Sequence, residues 1–252
     1  MQRAAQNLFA IGLVGLGVIT LIYGDFALVW QPVPAWLPAH RAVADGSGIV
    51  LLLCGIGLLF RASSAWAPAL SLAYCFLWLM LKLPGLFAAP LVESSWLGVA
   101  EPAVILAGAC ALFARLAPGR IGFLKPDGDF PRLLLAAAIL PIGLAHIVYL
   151  RETAGFIPHW FPLPLVFAFL TGVVQLVCAA GLMLSIFAAW AAALQAAMFS
   201  AFTIIVWVPA ILAAPSARMP WTAFLVSWII TAAAWIIAAD LAARSTLSRK
   251  NG

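Results

Sequence analysis

The sequence predicts an all-α integral membrane protein, with eight transmembrane helices forming two parallel-repeat four-helix bundles and both termini cytoplasmic. Three observations carry this. First, 66% of the 252 residues are hydrophobic and only 13 Lys and Arg and 8 Asp and Glu are present, where a soluble domain of this length carries roughly 60 charged residues. Second, apolar runs recur at the length of about 20 residues that a bilayer requires. Third, rare residues of the second half fall in register on those of the first. A mean hydropathy of +1.13 excludes a water-soluble fold, a disordered chain and a secreted disulfide scaffold.

Apolar runs bounded by Pro, Gly and charge place spans near 7–30, 43–60, 66–83 and 95–115. A second set follows near 132–150, 164–186, 190–212 and 220–241. The first run is too long for a signal-peptide core and lacks a small-x-small cleavage site, so it counts as a span. Pro141 inside the fifth span removes one helical hydrogen bond and predicts a kink. Lys and Arg set the direction. Arg3, Arg61, Arg115, Arg120, Lys125, Arg132, Arg244, Arg249 and Lys250 share one side, and only Arg41, Lys82, Arg151 and Arg218 share the other. The richer side is cytoplasmic, which implies a multi-pass protein of the inner cell membrane. The charge of +5 follows from this topology; without a basic, aromatic-interleaved patch it does not indicate nucleic-acid binding.

The segment 119–131, rich in Gly, Pro and Asp, is the natural linker between halves 1–118 and 132–252. Pro34-Ala35-Trp36-Leu37-Pro38 falls on Pro158-His159-Trp160-Phe161-Pro162 at an offset of about 124. The same offset superposes Gly48 on Gly172, Cys54 on Cys178, Gly57 on Gly181 and Trp66 on Trp190. With a two-residue gap upstream, Gly17 and Tyr23 meet Gly143 and Tyr149. Downstream, Leu83 to Pro90 matches Val208 to Pro215, and Trp96 meets Trp221. Each half has an even number of spans, so both enter the membrane in the same sense, related by an axis near the membrane normal. Small residues such as Gly12, Gly15 and Gly17 would let backbones approach.

The repeated unit, read as GLAHIVYLRETAGFIPHWFPLPLVFAFLTGVVQLVCAAGLML from Gly143 to Leu184, resembles the DoxX and DoxX-like family of four-span membrane proteins. The first-span His, the acidic residue after it, the Pro-Trp-Pro link and the polar-then-Gly start of the second span carry the resemblance. Thr20 stands where His146 does, so the first copy departs from the pattern at the His. The resemblance implies a helical bundle associated with redox or quinone-linked complexes.

Ionisable residues in a span need a partner or a purpose. Asp25, Asp45, Lys82 and Glu101 of the first half all lie toward the outer leaflet with Arg41, either as a polar pocket or as ion pairs tying helix ends. The second half keeps His146, Tyr149, Arg151, Glu152, His159 and Gln175. His146, Tyr149 and Thr153, at i, i+3 and i+7, share a helix face toward the Pro-Trp-Pro link. A His–Tyr–Glu set there suits proton transfer or holding a quinone carbonyl, against the plainer alternative of a satisfied interior His. Trp36 and Trp160, centred in Pro-rich links, anchor the interface or form a lid over a lipophilic ligand.

The candidate ligand-binding residues are therefore His146, Tyr149, Glu152, Glu101, Lys82, Asp25, Trp36 and Trp160. No metal site is expected, since His40, His146 and His159 have no ligand spacing. No catalytic residue is assigned. Cys54, Cys75, Cys110 and Cys178 lie in apolar runs without a C-x-x-C pair, as buried apolar residues do. Nucleotide-binding and hydrolase motifs are absent.

Three functions follow: a redox-associated subunit binding quinone or another lipophilic small molecule in the outer-leaflet half of a bundle, a small-solute carrier or permease, or a non-catalytic scaffold subunit. Besides the lipid bilayer, the first implies a membrane or periplasmic redox partner protein. Transport is disfavoured because no span other than the one with Pro141 is expected to be broken at mid-depth.

Overall fold

The computed structural model of the chain describes residues 1–34, 36–60, 66–117, 121–126, 128–158 and 160–251. His159, Arg61 and Arg120 lie outside them. Eight helices are long and apolar enough to cross a membrane, and large apolar side chains such as Ile22, Leu53, Phe76, Leu140, Val177 and Leu194 stand exposed along them. Such a surface suits lipid, not water. The protein is a multi-pass helical membrane protein.

The first four spans are α1 (Gln2–Tyr23), α2 (His40–Leu59), α3 (Trp66–Ala88) and α4 (Glu93–Leu116). The fifth, α5 (Phe130–Val148), runs as uninterrupted helix through Pro141; α6 (Leu150–Gly155) is one short continuation, and α7 (Pro164–Met183) is the sixth span. The seventh comprises α8 (Ala188–Phe202), a π-helical turn at Thr203–Trp207 and α9 (Val208–Ala213). The last is α10 (Arg218–Asn251).

Two spans depart from expectation. The first ends at Tyr23, not near residue 30, because Gly24 adopts the left-handed conformation (φ 58°) that stops a helix. The apolar residues beyond it turn back into the protein, where Phe26, Ala27 and Trp30 are buried. The seventh span is the second departure, since its helix loosens to the π form. Pro209 offers no N–H to the carbonyl of Ile205, one turn earlier, which favours the wider turn. The Thr203 hydroxyl donates to the Phe199 carbonyl at 2.8 Å, so it accepts from Ser227 at 2.7 Å and Thr231 at 3.0 Å. These bonds fasten the π turn to α10.

The helices interlock across the linker. α1 packs along α2 and α10, while α5 packs along α7 and α4; α3 lies on α4 and α8 on α10, and α4 meets α10. The two halves thus do not stand as separate bundles side by side, as expected; the first helix of each lies on the last helix of the other. α4 and α10 are the most enclosed spans.

Several local contacts recur in both halves. The Trp96 and Trp221 indoles donate to the carbonyls of Pro90 and Pro215, each at 2.8 Å. Gln6 donates to the Leu58 carbonyl at 2.7 Å, and Arg132 donates to that of Leu182. Gly17 lies against Gly48 as Gly143 lies against Gly172.

Just beyond the C-terminal end of α1, Asp25 accepts from Arg218 of α10 at 2.8 Å and lies 3.0 Å from His40 Nε2. Arg218 also sits over the Tyr23 ring. Partial desolvation opposes ionisation of Asp25, yet bonds from Arg218 and the Phe26 amide, with the nearby charges, hold its carboxyl below the ordinary value. A carboxyl depressed in the fold contributes stability above its unfolded pKa and loses it as pH falls through the folded value. Unfolding in detergent should therefore show an acid-labile component below about pH 4. Asp25→Asn is expected to flatten that limb; an unchanged acid profile would count against the clasp.

Candidate functional site

The C-terminal half of α5 ends on an unusual side chain for a span. His146 Nδ1 lies 3.0 Å from Thr171 Oγ1, and its Nε2 lies 3.2 Å from Gln175 Nε2. Thr171 spends its own proton on the Ala168 carbonyl at 2.9 Å. His146 Nδ1–H therefore donates to Thr171, and Nε2 accepts from Gln175. Both ring nitrogens are engaged within the protein, which satisfies a polar group in an apolar span. Thr171 lies 124 residues after Ser47, the offset of the sequence register, and Ser47 bonds Tyr74 Oη at 2.7 Å in the first half. Tyr74 in turn accepts from Gln31 at 2.5 Å. Each half thus has a polar knot where its second span reads hydroxyl-then-Gly.

Beside His146 opens a cavity of about 680 Å³ between α4, α5, α7 and the π turn, well within the size range of small-molecule sites. Its wall includes Glu101, His146, Tyr149 and Glu152. Tyr149 caps α5 rather than lying within it, yet its amide bonds Ala145 and its carbonyl accepts from Thr153, both at 2.8 Å. The turn is therefore continuous, and His146, Tyr149 and Thr153 all face the cavity. Glu152 is exposed at the rim. Glu101 arrives from α4 of the other half.

Aromatic rings form much of the remaining wall: Phe156, Phe161, Phe167, Phe202 and Trp207. Phe161 meets Phe167 edge-on at 4.4 Å, and Phe202 lies 5.3 Å from the His146 ring. A smaller chamber of about 310 Å³ adjoins, sharing Glu101, Ile142, Phe202 and Trp207 with the first. Trp30, whose buried indole N–H has no hydrogen-bond partner among the described residues, lines it.

The other expected residues lie elsewhere. Lys82 on α3 acts electrostatically on Glu101 but lines neither cavity. Asp25 belongs to the Arg218 clasp. Arg41 and Asp45 form an exposed i,i+4 pair at 3.9 Å, and neither lines a cavity. Trp36 and Trp160 are 78% and 72% exposed and line neither cavity; Phe161, in ring contact with Trp160, takes the place at the wall.

At the opposite end lies a network that sequence inspection passed over. Arg115 of α4 pairs with Asp240 of α10 at 3.1 Å, and Asp240 accepts from Gln2 at 2.8 Å. Arg115 also donates to Gln6 at 3.2 Å. Arg115 and Asp240 are 125 residues apart, the register that pairs Trp96 with Trp221, and this was the signal that could have revealed them.

Comparison of the chain with protein-family models, curated proteins and solved structures found no match.

Proposed function

We propose that the protein binds a lipophilic small molecule within the membrane, in the cavity bounded by Glu101, His146 and Tyr149. The observation that carries this reading is the cavity itself: about 680 Å³, walled by aromatic and aliphatic side chains, with a few polar groups set among them. The similarity of Gly143 to Leu184 to DoxX-like units adds a redox-linked role and quinone as one ligand class. Tyr149, whose hydroxyl makes no hydrogen bond to the described residues, is the group free to donate to such a carbonyl; His146 orients and closes the wall instead.

We also propose that the chain is a tandem duplication about an axis along the membrane normal, with both termini cytoplasmic. Recurrent packing pairs, the twin Trp–Pro bonds and the Gly–Gly contacts support it. So does the meeting of equivalent residues at the centre: a Cβ on Gly108 would touch Ala233, and Arg115 touches Asp240. Residues meet their own equivalents only at a two-fold axis.

A short-chain quinone titrated into detergent-purified protein tests the site. Leu97→Trp, which places an indole on the wall one turn before Glu101, is expected to weaken binding at least about tenfold. Tyr149→Phe removes one neutral hydrogen bond of about 1 kcal/mol and should cost about fivefold. Binding of this and other lipophilic probes indifferent to Leu97→Trp would overturn the reading.

A further inference from the structure

We infer that the cavity selects lipophilic organic cations, with Glu101 as the counter-ion. The inference rests on the cavity being a ligand site and names the charge class that the site takes.

The charge on the wall is one-sided. Glu101 and Glu152 line the cavity, and among the described residues no Lys or Arg does. Most cations of the outer end are placed elsewhere: Arg218 on Asp25 and Arg41 beside Asp45. Arg151 precedes Glu152 on α6 with its side chain exposed. Lys82 acts on Glu101 through space from α3 and does not line the cavity. A ligand inside the cavity thus meets Glu101 with no Lys or Arg among the described lining residues beside it. No hydrogen bond to the Glu101 carboxylate is made by the described residues.

The rings reinforce the same sign. Tyr149, Phe156, Phe202 and Trp207 line the same cavity as Glu101, and aromatic faces attract a cation most strongly where water is excluded. Phe156 and Trp207 lie 6.2 Å apart with their planes inclined at 49°, so the pair presents a corner of ring faces rather than a flat stack. A neutral ligand gains from the rings alone and displaces water from Glu101 without replacing its charge. An anion is repelled by both carboxylates. A cation gains from rings and carboxylate together. Glu101 also borders the smaller chamber, so a charged centre beside it could carry substituents into both spaces.

Tetraphenylphosphonium and its near-isosteric anion tetraphenylborate test this by equilibrium dialysis against the full-length protein in a neutral detergent. The cavity-dependent binding, taken as the difference between wild type and Leu97→Trp, is expected to favour the phosphonium by about tenfold or more. Glu101→Gln should remove most of that preference and Glu101→Asp should retain it. Equal cavity-dependent binding of the two ions overturns the inference, as does a preference that survives Glu101→Gln; the wild-type comparison decides even where the Gln variant does not fold. If quinone binds in the cavity while the phosphonium does not, the charge assignment fails and the site stands. If Leu97→Trp alters the binding of none of the probes, the site itself fails.

Discussion

Asp240→Leu is expected to destabilise the protein by about 3 kcal/mol, measured as loss of helix in detergent titrated with a denaturing surfactant. The side chain of Asp240 is 11% exposed and that of Arg115 is 20%, so removing the carboxylate strands a guanidinium in a largely desolvated place. Gln2 loses its acceptor as well, while Gln6 remains beside Arg115 and bonded to the Leu58 carbonyl. The penalty comes from the unpaired charge more than from the lost attraction. The double variant Arg115→Met/Asp240→Leu should therefore recover most of the loss, because an apolar pair leaves no buried charge unpaired and forfeits only the Gln2 and Gln6 contacts. The exchanged pair Arg115→Asp/Asp240→Arg offers a sharper comparison. If the two positions face each other across a two-fold axis, the exchange restores the ion pair and forfeits only the Gln contacts. It should then sit well above either single variant in stability. An exchanged protein no better than Asp240→Leu would place the axis elsewhere.

Eight spans were legible in the sequence because lipid solvation demands long apolar runs whatever their tertiary partners. The limits of that logic show at residues 24–30. Phe26, Ala27 and Trp30 are as apolar as a span, but they are buried by protein rather than lipid, and hydropathy does not distinguish the two solvents. Gly24 held the missing information. The π turn was not legible at all, for Pro209 and Pro84, at matching places in the segments from Val208 to Pro215 and from Leu83 to Pro90, are the same residue with different outcomes. Pro84 lies inside the unbroken helix α3, whereas Pro209 follows the widened turn. What differs is the company: hydroxyls of α10 hold Thr203 in place.

The candidate site was half legible. His146, Tyr149 and Glu152 were found because residues three or four apart on a helix share a face. Their union with Glu101 needed α4 to pack on α5 across the linker, a contact that no local pattern encodes. Treating each half as its own bundle grouped Glu101 with Asp25 as well as Lys82; Lys82 does act on it, but Asp25 pairs with Arg218 of α10. The exposed Trp36 and Trp160 show the converse error, where residues distinctive in sequence lie outside the cavity because aromatic rings at a membrane interface have a sufficient role of their own. Asp240 was passed over because a charge near the end of a long last helix resembles an ordinary solvated terminus.

Gly55→Ala should destabilise the protein by about 3 kcal/mol, at the upper end of what an inserted methyl costs in a packed interior. A Cβ there would lie 2.5 Å from the Ala10 carbonyl oxygen and 2.9 Å from the Val14 amide nitrogen. Both obstacles are backbone of α1, so no rotamer change relieves them and the two helices must part. That separation would disturb the longest seam of the first half, where Gly17 and Gly48 also bring backbones together. Gly46→Ala, on the same helix, meets nothing within 4 Å and should stay within about 1 kcal/mol of wild type, with helix propensity favouring the alanine. The two variants differ only in what the added methyl touches. Surfactant titration of both, read by circular dichroism, separates a steric seam from a general intolerance of Gly replacement in α2. Equal losses at Gly46 and Gly55 would deny the close α1–α2 contact, and with it the idea that small residues, rather than apolar bulk, set how closely these spans pack in lipid.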